Sequence, residues 1–337
     1  MQWLSFAALA LVAPASAELW QSCATLVIDR IDPLLNPGQV PSQYLRQVVG
    51  GDSFNATMPI DKDVPRKTTC TTCLYSEDFS NYYTPVLYFK ARNGKYKRVP
   101  TFPNDDEDAS LNGIIVEYND HLNKQTSVTA FKNGFRMMVG GPTRRENTGD
   151  DEARSLNFRC FQYQVGGITG PGEDTNHFPA KPCPGGIRAS HYFPTCWDGT
   201  SLDSPDHRSH VIYPYDGNFD TLGPCPSSHP VKVPQLVYHV GWDTTEFNNP
   251  NDWPDDGSQP FVFSTGDPTG YGSHAEYVFG WKGDALQRAM DAKCMDFCGV
   301  ISDQYIEDAN NCHIPPVVHD DIDSWVSELP GGVKVTH

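Results

Sequence analysis

Short apolar runs, rich in β-branched and aromatic residues and bounded by Gly, Asn, Asp or Pro, dominate the hydrophobic pattern of this chain. The clearest run spans residues 235–242. It alternates in the period of a strand, with Leu236 and Trp242 on one face and His239 on the other. Runs of the same kind predict further strands at residues 86–90, 96–99, 114–118, 127–131, 135–139, 158–163 and 261–264. We therefore expect a mainly β fold, a sandwich or jelly roll with long loops and one or few helices.

The connection between the runs at 86–90 and 96–99 contains the pair Asn93-Gly94. Both central positions of a tight primed turn require positive φ, which Asn and Gly tolerate best. The pair therefore predicts a hairpin that joins these two strands.

One segment, residues 284–299, has the pattern of an amphipathic helix. Asp284 can cap its start and Gly299 can end it. Its apolar side chains fall on one face of such a helix: Leu286, Met290, Cys294 and Phe297.

The first seventeen residues form an apolar run that ends in Ala15-Ser16-Ala17, the small-x-small form of a signal peptidase site. Cleavage after Ala17 would leave residues 18–337, in which we see no repeat and no low-complexity linker. We expect one β-rich domain with an irregular C-terminal tail after about residue 313. No later segment is apolar for long enough to span a bilayer, so the prediction is a secreted protein, extracellular or in the cell wall.

The chain is acidic, with a formal net charge of −17. A nucleic-acid-binding face needs clustered Lys and Arg, and the basic residues here are scattered along the chain. Acidity of this kind keeps an extracellular protein soluble. We expect a monomer that does not bind nucleic acid.

Ten cysteines in a chain with such a leader indicate up to five disulfides. The close pairs Cys70/Cys73 and Cys294/Cys298 have the spacing of a redox pair or half a zinc site, but an oxidising setting favours structural disulfides. The sequon at Asn55 is compatible with glycosylation and predicts an exposed turn.

Polar chemistry is concentrated between Cys183 and Tyr213, where histidines, arginines and aspartates lie among turn-forming Gly and Pro. We interpret this stretch as a loop-rich site on a rigid scaffold. Because Asp and Arg are rarely buried unless paired, we expect it to form the floor of a groove lined by Asp206, His207 and His210. We also expect Cys183 or Cys196 to tie it by disulfide to another part of the scaffold.

Three interpretations of Asp206, His207 and His210 compete. As a metal site, the two imidazoles would supply nitrogen ligands, but no cysteine-rich partner completes a structural zinc and no metal is assigned. As a catalytic site, a histidine oriented by Asp206 would act as a base while Arg188 or Arg208 neutralises an anion. As a structural element, the same side chains would bond the backbone of a long ordered loop.

Other candidates lie on either side of this stretch. His239 is expected on a strand, and His274 follows glycines that would let the backbone approach a ligand. The candidate substrate-binding residues are aromatic side chains, on which sugar rings can stack, with neighbouring acids and one histidine. They are Trp197, Asp198, Asp203, Trp242, Asp243, Tyr271 and His274. The chain contains no Gly-x-Ser-x-Gly elbow, Walker loop or dinucleotide fingerprint, so no cofactor is indicated.

Four motifs resemble a family of secreted fungal proteins known as domain of unknown function 1996. They are PTCWDG-x-x-LDSPDH-x-SH from Pro194, FRCFQYQVGG from Phe158, SQPFVFSTGDPTGYGSHAEYVFGW from Ser258, and KGDALQRAMDAKC. Members are sometimes joined to cell-wall-binding modules, so the resemblance implies a polysaccharide setting. Where the family is expected to have Ser-x-His-x-His, this chain has Tyr44 and Arg46 in place of the histidines, which implies a lost or altered activity if they were ligands or catalysts.

The sequence supports two functions. The first is a carbohydrate-active enzyme that cuts a cell-wall or plant polysaccharide. As a lyase, it would use His207, His210 or His239 to remove a C5 proton and Arg188 to hold a uronate carboxylate. As a hydrolase, it would use two of four acids as acid and base: Asp198, Asp203, Asp206 and Asp243. The second function is a non-catalytic wall protein in which the same aromatics bind glycan.

Overall fold

The computed structural model of the protein describes residues 18–103, 111–120, 127–163, 169–215, 223–295 and 298–337. Within them the chain is mainly β. The strands, in chain order, are β1 Glu18–Asp29, β2 Arg46–Gly50, β3 Asn81–Pro85, β4 Leu87–Lys90, β5 Tyr96–Arg98, β6 Gly113–Asn119, β7 Arg136–Gly140, β8 Leu156–Phe161, β9 Gly172–Thr175, β10 Ile187–Tyr192, β11 Cys196–Trp197, β12 Val211–Ile212, β13 Val231–Lys232, β14 Gln235–Trp242, β15 Phe261–Phe263 and β16 His274–Val278. The α-helices are α1 Val64–Lys67, α2 Asp151–Arg154, α3 Ala285–Asp291 and α4 Ile306–Asn311. Short 3₁₀ turns lie at Thr245–Phe247, Pro250–Asp252 and Pro330–Gly332.

Ten of these strands form one antiparallel sheet, in the order β7-β16-β3-β2-β1-β6-β14-β10-β8-β9. Strand β1 joins its two halves, because it pairs with β2 along one edge and with β6 along the other. Two three-stranded sheets, β12-β11-β13 and β15-β4-β5, flank it. The predicted mainly β fold is confirmed, in the form of one large curled sheet with two small ones.

The sheet curls so that distant strands meet across its inner face. The Tyr238 hydroxyl on β14 donates to the Glu276 carbonyl on β16 at 2.9 Å, although four strands separate them in the sheet. Tyrosine hydroxyls link further strands inside, with Tyr118 lying 2.7 Å from Tyr82 and 2.9 Å from Tyr277. Such bonds satisfy phenolic groups that burial would otherwise penalise. The inner face is therefore an aromatic core in which tyrosine hydroxyls form hydrogen bonds between strands.

The alternation predicted for residues 235–242 is observed. Leu236, Tyr238 and Trp242 belong to the inner core, whereas His239 lies on the opposite, outer face of the sheet. A second apolar cluster covers the outer face of the other half, where Val48 of β2 and Val278 of β16 pack under residues of the loops that follow β1 and β2. Apolar side chains therefore pack on both faces of the one large sheet.

Five disulfides brace the loops, and none of the ten cysteines is free. The close pair Cys294–Cys298 is bonded to itself, but Cys70 and Cys73 each pair elsewhere, with Cys312 and Cys23. In the central stretch, the remaining bonds are Cys160–Cys183 and Cys196–Cys225. The first of these ties the stretch to β8, as expected.

The predicted hairpin is confirmed, since β4 and β5 pair on either side of Gly94, whose φ is +82°. The segment 127–131 forms no strand, because its backbone bonds singly to the Lys232 carbonyl of β13 and to the Gln287 side chain instead of to a ladder of strand residues. Helix α3 is shorter than predicted. It ends at Asp291, and Lys293 takes a left-handed φ of +55° before the Cys294–Cys298 bridge. Phe297 lies outside the described residues, as does the predicted signal peptide.

Candidate functional site

The central stretch lies along the edge strand β7. The Arg136 amide donates to the Leu202 carbonyl at 3.0 Å, and the Met138 amide donates to the His207 carbonyl at 2.9 Å. Residues 202–208 therefore cover the open edge of the sheet, which unpaired strand edges require. That this stretch forms the floor of a groove stays a prediction.

Asp206 holds the loop together from within. Its Oδ1 accepts the amides of Arg208 and Ser209 at 3.1 and 3.0 Å and the Ser204 hydroxyl at 2.7 Å. Although partial burial raises the pKa of this carboxyl, the donated bonds outweigh it and keep the pKa well below its ordinary value. Asp206 therefore stays ionised and is used by its own turn.

His207 and His210 contact different groups. The His207 Nδ1 lies 2.7 Å from Asp203, whose hydrogen bond raises the histidine pKa, and its Nε2 lies 3.2 Å from the Leu34 carbonyl. His210 is buried against the Phe135 ring, and burial lowers its pKa. Its nitrogens lie 2.8 Å from the Ser204 hydroxyl and 2.8 Å from the Arg136 carbonyl.

Two of the three candidate sugar-binding aromatics are not available on the surface. Trp197 and Trp242 are buried, with exposed fractions of 3% and 1%, because both belong to the inner core. Trp197 also donates its Nε1–H to the Ser201 carbonyl at 2.7 Å. Tyr271 is half-buried, beside the His177 ring. A sugar cannot stack on the two tryptophans without displacing the core.

The acids proposed for a hydrolase serve separate turns. Asp198 accepts the amides of Thr200 and Ser201, and Asp243 accepts the amide of Thr245. These are Asx-type turn bonds. The other two acids also have local partners, since Asp203 pairs with His207 and Asp206 accepts bonds within its own turn.

The structure does bring His239 and Arg188 together. They lie on the neighbouring strands β14 and β10, where His239 is opposite Ser190 and Arg188 is opposite Gly241. Since residues two apart on a strand share a face, Arg188, Ser190 and Tyr192 all lie on the outer face with His239. The Tyr192 and His239 rings meet edge to face, with centroids 6.4 Å apart. We call Glu117, Arg188, Ser190, Tyr192 and His239 the outer-face cluster.

Both ring nitrogens of His239 have partners in this cluster. Nδ1 lies 2.7 Å from the Ser190 hydroxyl, and Nε2 lies 3.0 Å from Oε1 of Glu117 on β6. Burial raises the pKa of Glu117, but the bond and charge of His239 outweigh it, and the pKa is below its ordinary value. A carboxylate in this position holds one tautomer and one orientation of the imidazole.

Two guanidinium groups complete this face. Burial lowers the pKa of Arg188, and the charge of Arg159 on β8 adds to that effect. Arg159 forms a two-bond pair with Asp174 of β9, at 2.6 and 2.5 Å. The outer-face cluster therefore combines a histidine, a phenol and a partly buried arginine, which are groups that can bind an anionic ligand.

A second, fully buried cluster of charged residues lies beside β2 and β16. Arg46 lies between two carboxylates, with Nη2 2.8 Å from Asp32 and 3.1 Å from Glu276. His274 and Tyr83 border the same carboxylates, and the His274 Nε2 lies 3.5 Å from Glu276. The four strand residues are 0% exposed. We call this set the Arg46 cluster.

Several polar atoms of the Arg46 cluster have no hydrogen-bond partner in the described part of the protein: Arg46 Nη1, Tyr83 Oη, His274 Nε2 and both carboxylate oxygens of Glu276. Burial raises the pKa of Glu276 to about 8, and burial lowers the pKa of His274 well below its ordinary value. A neutral histidine beside a carboxyl of raised pKa is the pattern of a poised proton site. Strand periodicity does not identify any residue of the Arg46 cluster. The only sequence signal for this cluster is the pair of polar residues inside an apolar run, His274-Ala-Glu276.

Arg46 stands where the family resemblance leads one to expect a histidine. Its guanidinium supplies the positive charge that the buried Asp32 carboxylate needs, and the Tyr44 ring lies 5.6 Å from it. Arg46 is therefore a fixed internal counter-ion.

Over the residues that the structure describes, no group of three or more His, Cys, Asp or Glu side chains is arranged to hold a metal ion. Likewise, no described helix has the length and apolar character needed to cross a membrane. The four histidines proposed as site residues, all within the described ranges, share no hydrogen-bond partner with one another.

No curated protein and no solved structure matches the chain. One protein family does, and its match covers residues 32–281, which include both the outer-face cluster and the Arg46 cluster. The chain therefore belongs to the family described as domain of unknown function DUF1996.

Proposed function

We propose that the protein is a secreted carbohydrate-active enzyme that cleaves an acidic cell-wall or plant polysaccharide by β-elimination at the outer-face cluster. The observation that carries the proposal is the placement of His239, Arg188 and Tyr192 side by side on the outer face of β10 and β14. They are the three chemical groups that elimination from a uronate needs. The five disulfides support an extracellular setting.

Each group has a role in that reaction. Arg188 binds the uronate carboxylate and withdraws charge from it, which makes the neighbouring C5 proton more acidic. His239 takes the proton when the Ser190 hydroxyl turns away from Nδ1, and Glu117 stabilises the imidazolium that results. The C5 electrons form the C4–C5 double bond, the bond from C4 to the glycosidic oxygen breaks, and Tyr192 donates a proton to that oxygen.

A specific observation favours the second candidate, a protein that binds glycan without cutting it. Both nitrogens of His239 are already bonded, and the residue is only 6% exposed. In that case Arg188 and Tyr192 would form a binding surface, and His239 would brace it. The two candidates share a ligand class and differ in turnover.

Incubation with polygalacturonate, alginate and glucuronan tests the proposal, with the ultraviolet absorbance of unsaturated uronate ends as the readout. We expect His239→Gln and Tyr192→Phe each to reduce the elimination rate about 10²-fold or more, the usual effect of losing a general base or acid. Arg188→Lys keeps the charge but loses the two-pronged geometry, and it should lower kcat as well as raise KM, because Arg188 both binds the carboxylate and acidifies the C5 proton.

Controls of the same type come from the surface. Tyr305, which is 80% exposed, serves for the phenylalanine change, and Arg154, whose side chain is 60% exposed, serves for the lysine change. Binding to an acidic glycan that Arg188→Gln abolishes, without unsaturated product from any substrate, would establish the binding protein instead. If the variants and their controls behave alike with every glycan, this face is not the site.

A further inference from the structure

A cleft of about 590 Å³ lies between the loop that precedes β2, the loop that follows β7, and residues 331–337. Its size falls within the range of small-molecule sites. It shares no residue with the outer-face cluster, so the role of this cleft is independent of the proposed function.

The far wall of the cleft is a fixed part of the protein. Arg145 donates from Nε to the Thr336 carbonyl at 2.8 Å and from Nη2 to the Thr336 hydroxyl at 2.9 Å. The Thr336 amide in turn donates to the Gly266 carbonyl at 3.0 Å. Two residues before the lining segment that starts at Gly331, Leu329 is buried in a cluster with Leu45. The wall formed by residues 331–337 is thus attached to the rest of the protein at several points.

One wall of the cleft is aromatic. The Tyr44 ring is half-buried and lines the cleft, and the Arg46 guanidinium lies 5.6 Å from its centroid. A flat ring of this kind, fixed by a buried cation, offers the apolar face of a sugar a surface on which to stack. This contact is available here, whereas the buried Trp197 and Trp242 do not offer it.

The cleft also contains an unsatisfied polar group. Thr265 lines it, is only 4% exposed, and its hydroxyl has no hydrogen-bond partner among the described residues. A buried hydroxyl without a hydrogen-bond partner is destabilising. A ligand hydroxyl or carboxylate in the cleft would supply the missing bond.

The charge of the lining is opposite to that of the protein. Within the described ranges of the chain, no Asp or Glu side chain lines the cleft, whereas Arg145 and Lys334 do, in a chain with a net charge of −17. Arg145 lies 3.8 Å from the carboxylate of the buried Asp267. Outside the lining, Lys334 also lies 3.8 Å from Glu328. The lining therefore favours an anion over a neutral molecule.

From these observations we propose that the cleft is a binding site for an acidic sugar, one uronate residue or the end of an acidic oligosaccharide. Tyr44 stacks on the ring, Thr265 bonds a hydroxyl or the carboxylate, and Arg145 with Lys334 attracts the charge. The site binds its ligand and performs no chemistry on it.

Calorimetric titration with galacturonate and trigalacturonate tests this site, with galactose and inorganic phosphate as comparison ligands. We expect the acidic sugars to bind and both comparison ligands to bind much more weakly. Thr265→Val should reduce affinity about tenfold, the effect of one hydrogen bond to a charged group. Tyr44→Ala should reduce it as well, while Tyr44→Phe should retain the stacking and the affinity.

Thr84→Val is the matched control. Thr84 is 1% exposed and its hydroxyl is equally without a partner in the described structure, but it lies on β3 outside the cleft. Neither valine variant should lower the melting temperature, since neither hydroxyl is bonded within that structure, so a loss of affinity cannot be ascribed to unfolding. Absence of binding, equal binding of galactose or phosphate, or equal effects of the two valine changes would each overturn the proposal. Because the variants Arg188→Gln and His239→Gln leave this cleft intact, failure of the elimination assay would not affect the result.

Discussion

Arg46 shows what a single side chain does when it is buried with two carboxylates. Its guanidinium contacts Asp32 and Glu276 in a region that is 0 to 1% exposed. A lone buried charge costs several kcal/mol, so each member of this group depends on the others.

Removal of this cation should be among the most destabilising changes in the protein. Arg46→Met leaves the buried carboxylate of Asp32 without a counter-charge, and we expect a loss of about 3–5 kcal/mol in the free energy of unfolding, measured by denaturant titration. Arg98→Met is the control, because Arg98 pairs with Asp323 at the surface, where such pairs contribute about 1 kcal/mol or less. Similar losses in the two variants would contradict the role of Arg46.

Glu276 should make stability depend on pH. Its pKa is about 8 in the folded protein against an ordinary 4.5, so the folded state binds this proton more tightly than the unfolded state. The resulting stabilisation is complete below the unfolded pKa and is lost as the pH rises through about 8. Asp78, whose pKa burial raises to about 6, acts in the same direction. The groups that face Glu276 are Arg46, Asp32, His274, Tyr83 and Arg208.

The variant Glu276→Gln separates the two contributions. Between about pH 5 and pH 8, the unfolding free energy of the native protein should fall more steeply than that of the variant, because glutamine does not titrate. Denaturant midpoints across this range provide the measurement. Parallel profiles for the two proteins would show that Glu276 does not titrate there.

At the residue level, the sequence predicts which face of a strand a side chain lies on better than it predicts which residues that side chain contacts. Alternation along residues 235–242 is sufficient to place His239 on the face opposite Trp242, because strand geometry has a period of two. Neither the Glu117 partner of His239 nor the grouping of Arg46 with Glu276 is local, since each depends on which strands pair. Asp206 is a different case. Its hydrogen-bond donors are close in sequence, but they converge on the carboxylate only once the turn has formed.

Among the structural elements, the central stretch shows how a loop is stabilised without regular structure. It combines pairing beside β7, the short strands β11 and β12, and the Cys196–Cys225 disulfide. Sequence composition identifies this stretch as unusual, but its docking along an edge strand depends on the topology of the sheet. The same dependence explains why residues 127–131, which have strand-like composition, remain an extended loop.

The Cys196–Cys225 bond should stabilise this stretch specifically. Replacement of both cysteines by alanine removes a cross-link over a sequence separation of 29, for which we expect a loss of about 3 kcal/mol. Hydrogen exchange should then increase at residues 196–212 while the amides of β14 remain protected. Removal of Cys294–Cys298, which spans only 4 positions, is the comparison and should have a smaller effect. Equal loss of protection in β14 would mean that the stretch and the sheet unfold as one unit.

For the whole molecule, the part of the chain after the family match is integral to the fold. Residues 282–337 follow the matched region, yet they supply helix α3 to the inner core and a disulfide partner, Cys312, to the loop before β3. Further along, the Val317 amide donates to Asp29 at 2.6 Å, and the Trp325 ring meets Phe89 edge to face. The part of the chain after residue 313, which has no α-helix or strand, is thus held by side chains and backbone bonds at many points, which composition alone does not reveal.

The energetic consequence can be measured at Leu329, which is 1% exposed and packs with Leu45, Val86, Tyr88 and Val262. Leu329→Ala leaves a cavity among these residues, and we expect it to reduce the unfolding free energy by about 2–5 kcal/mol, the usual cost of a large-to-small change in a core. Val317→Ala, at a position that is 58% exposed, should change stability by about 0.5 kcal/mol or less. Because the tail shares its core with β4 and β15, denaturation of Leu329→Ala should remain a single transition with an unchanged slope. A separate early transition, with the rest of the protein unfolding at its native midpoint, would show that the tail unfolds independently. The wall that residues 331–337 give to the cleft lined by Tyr44 would then not be stable.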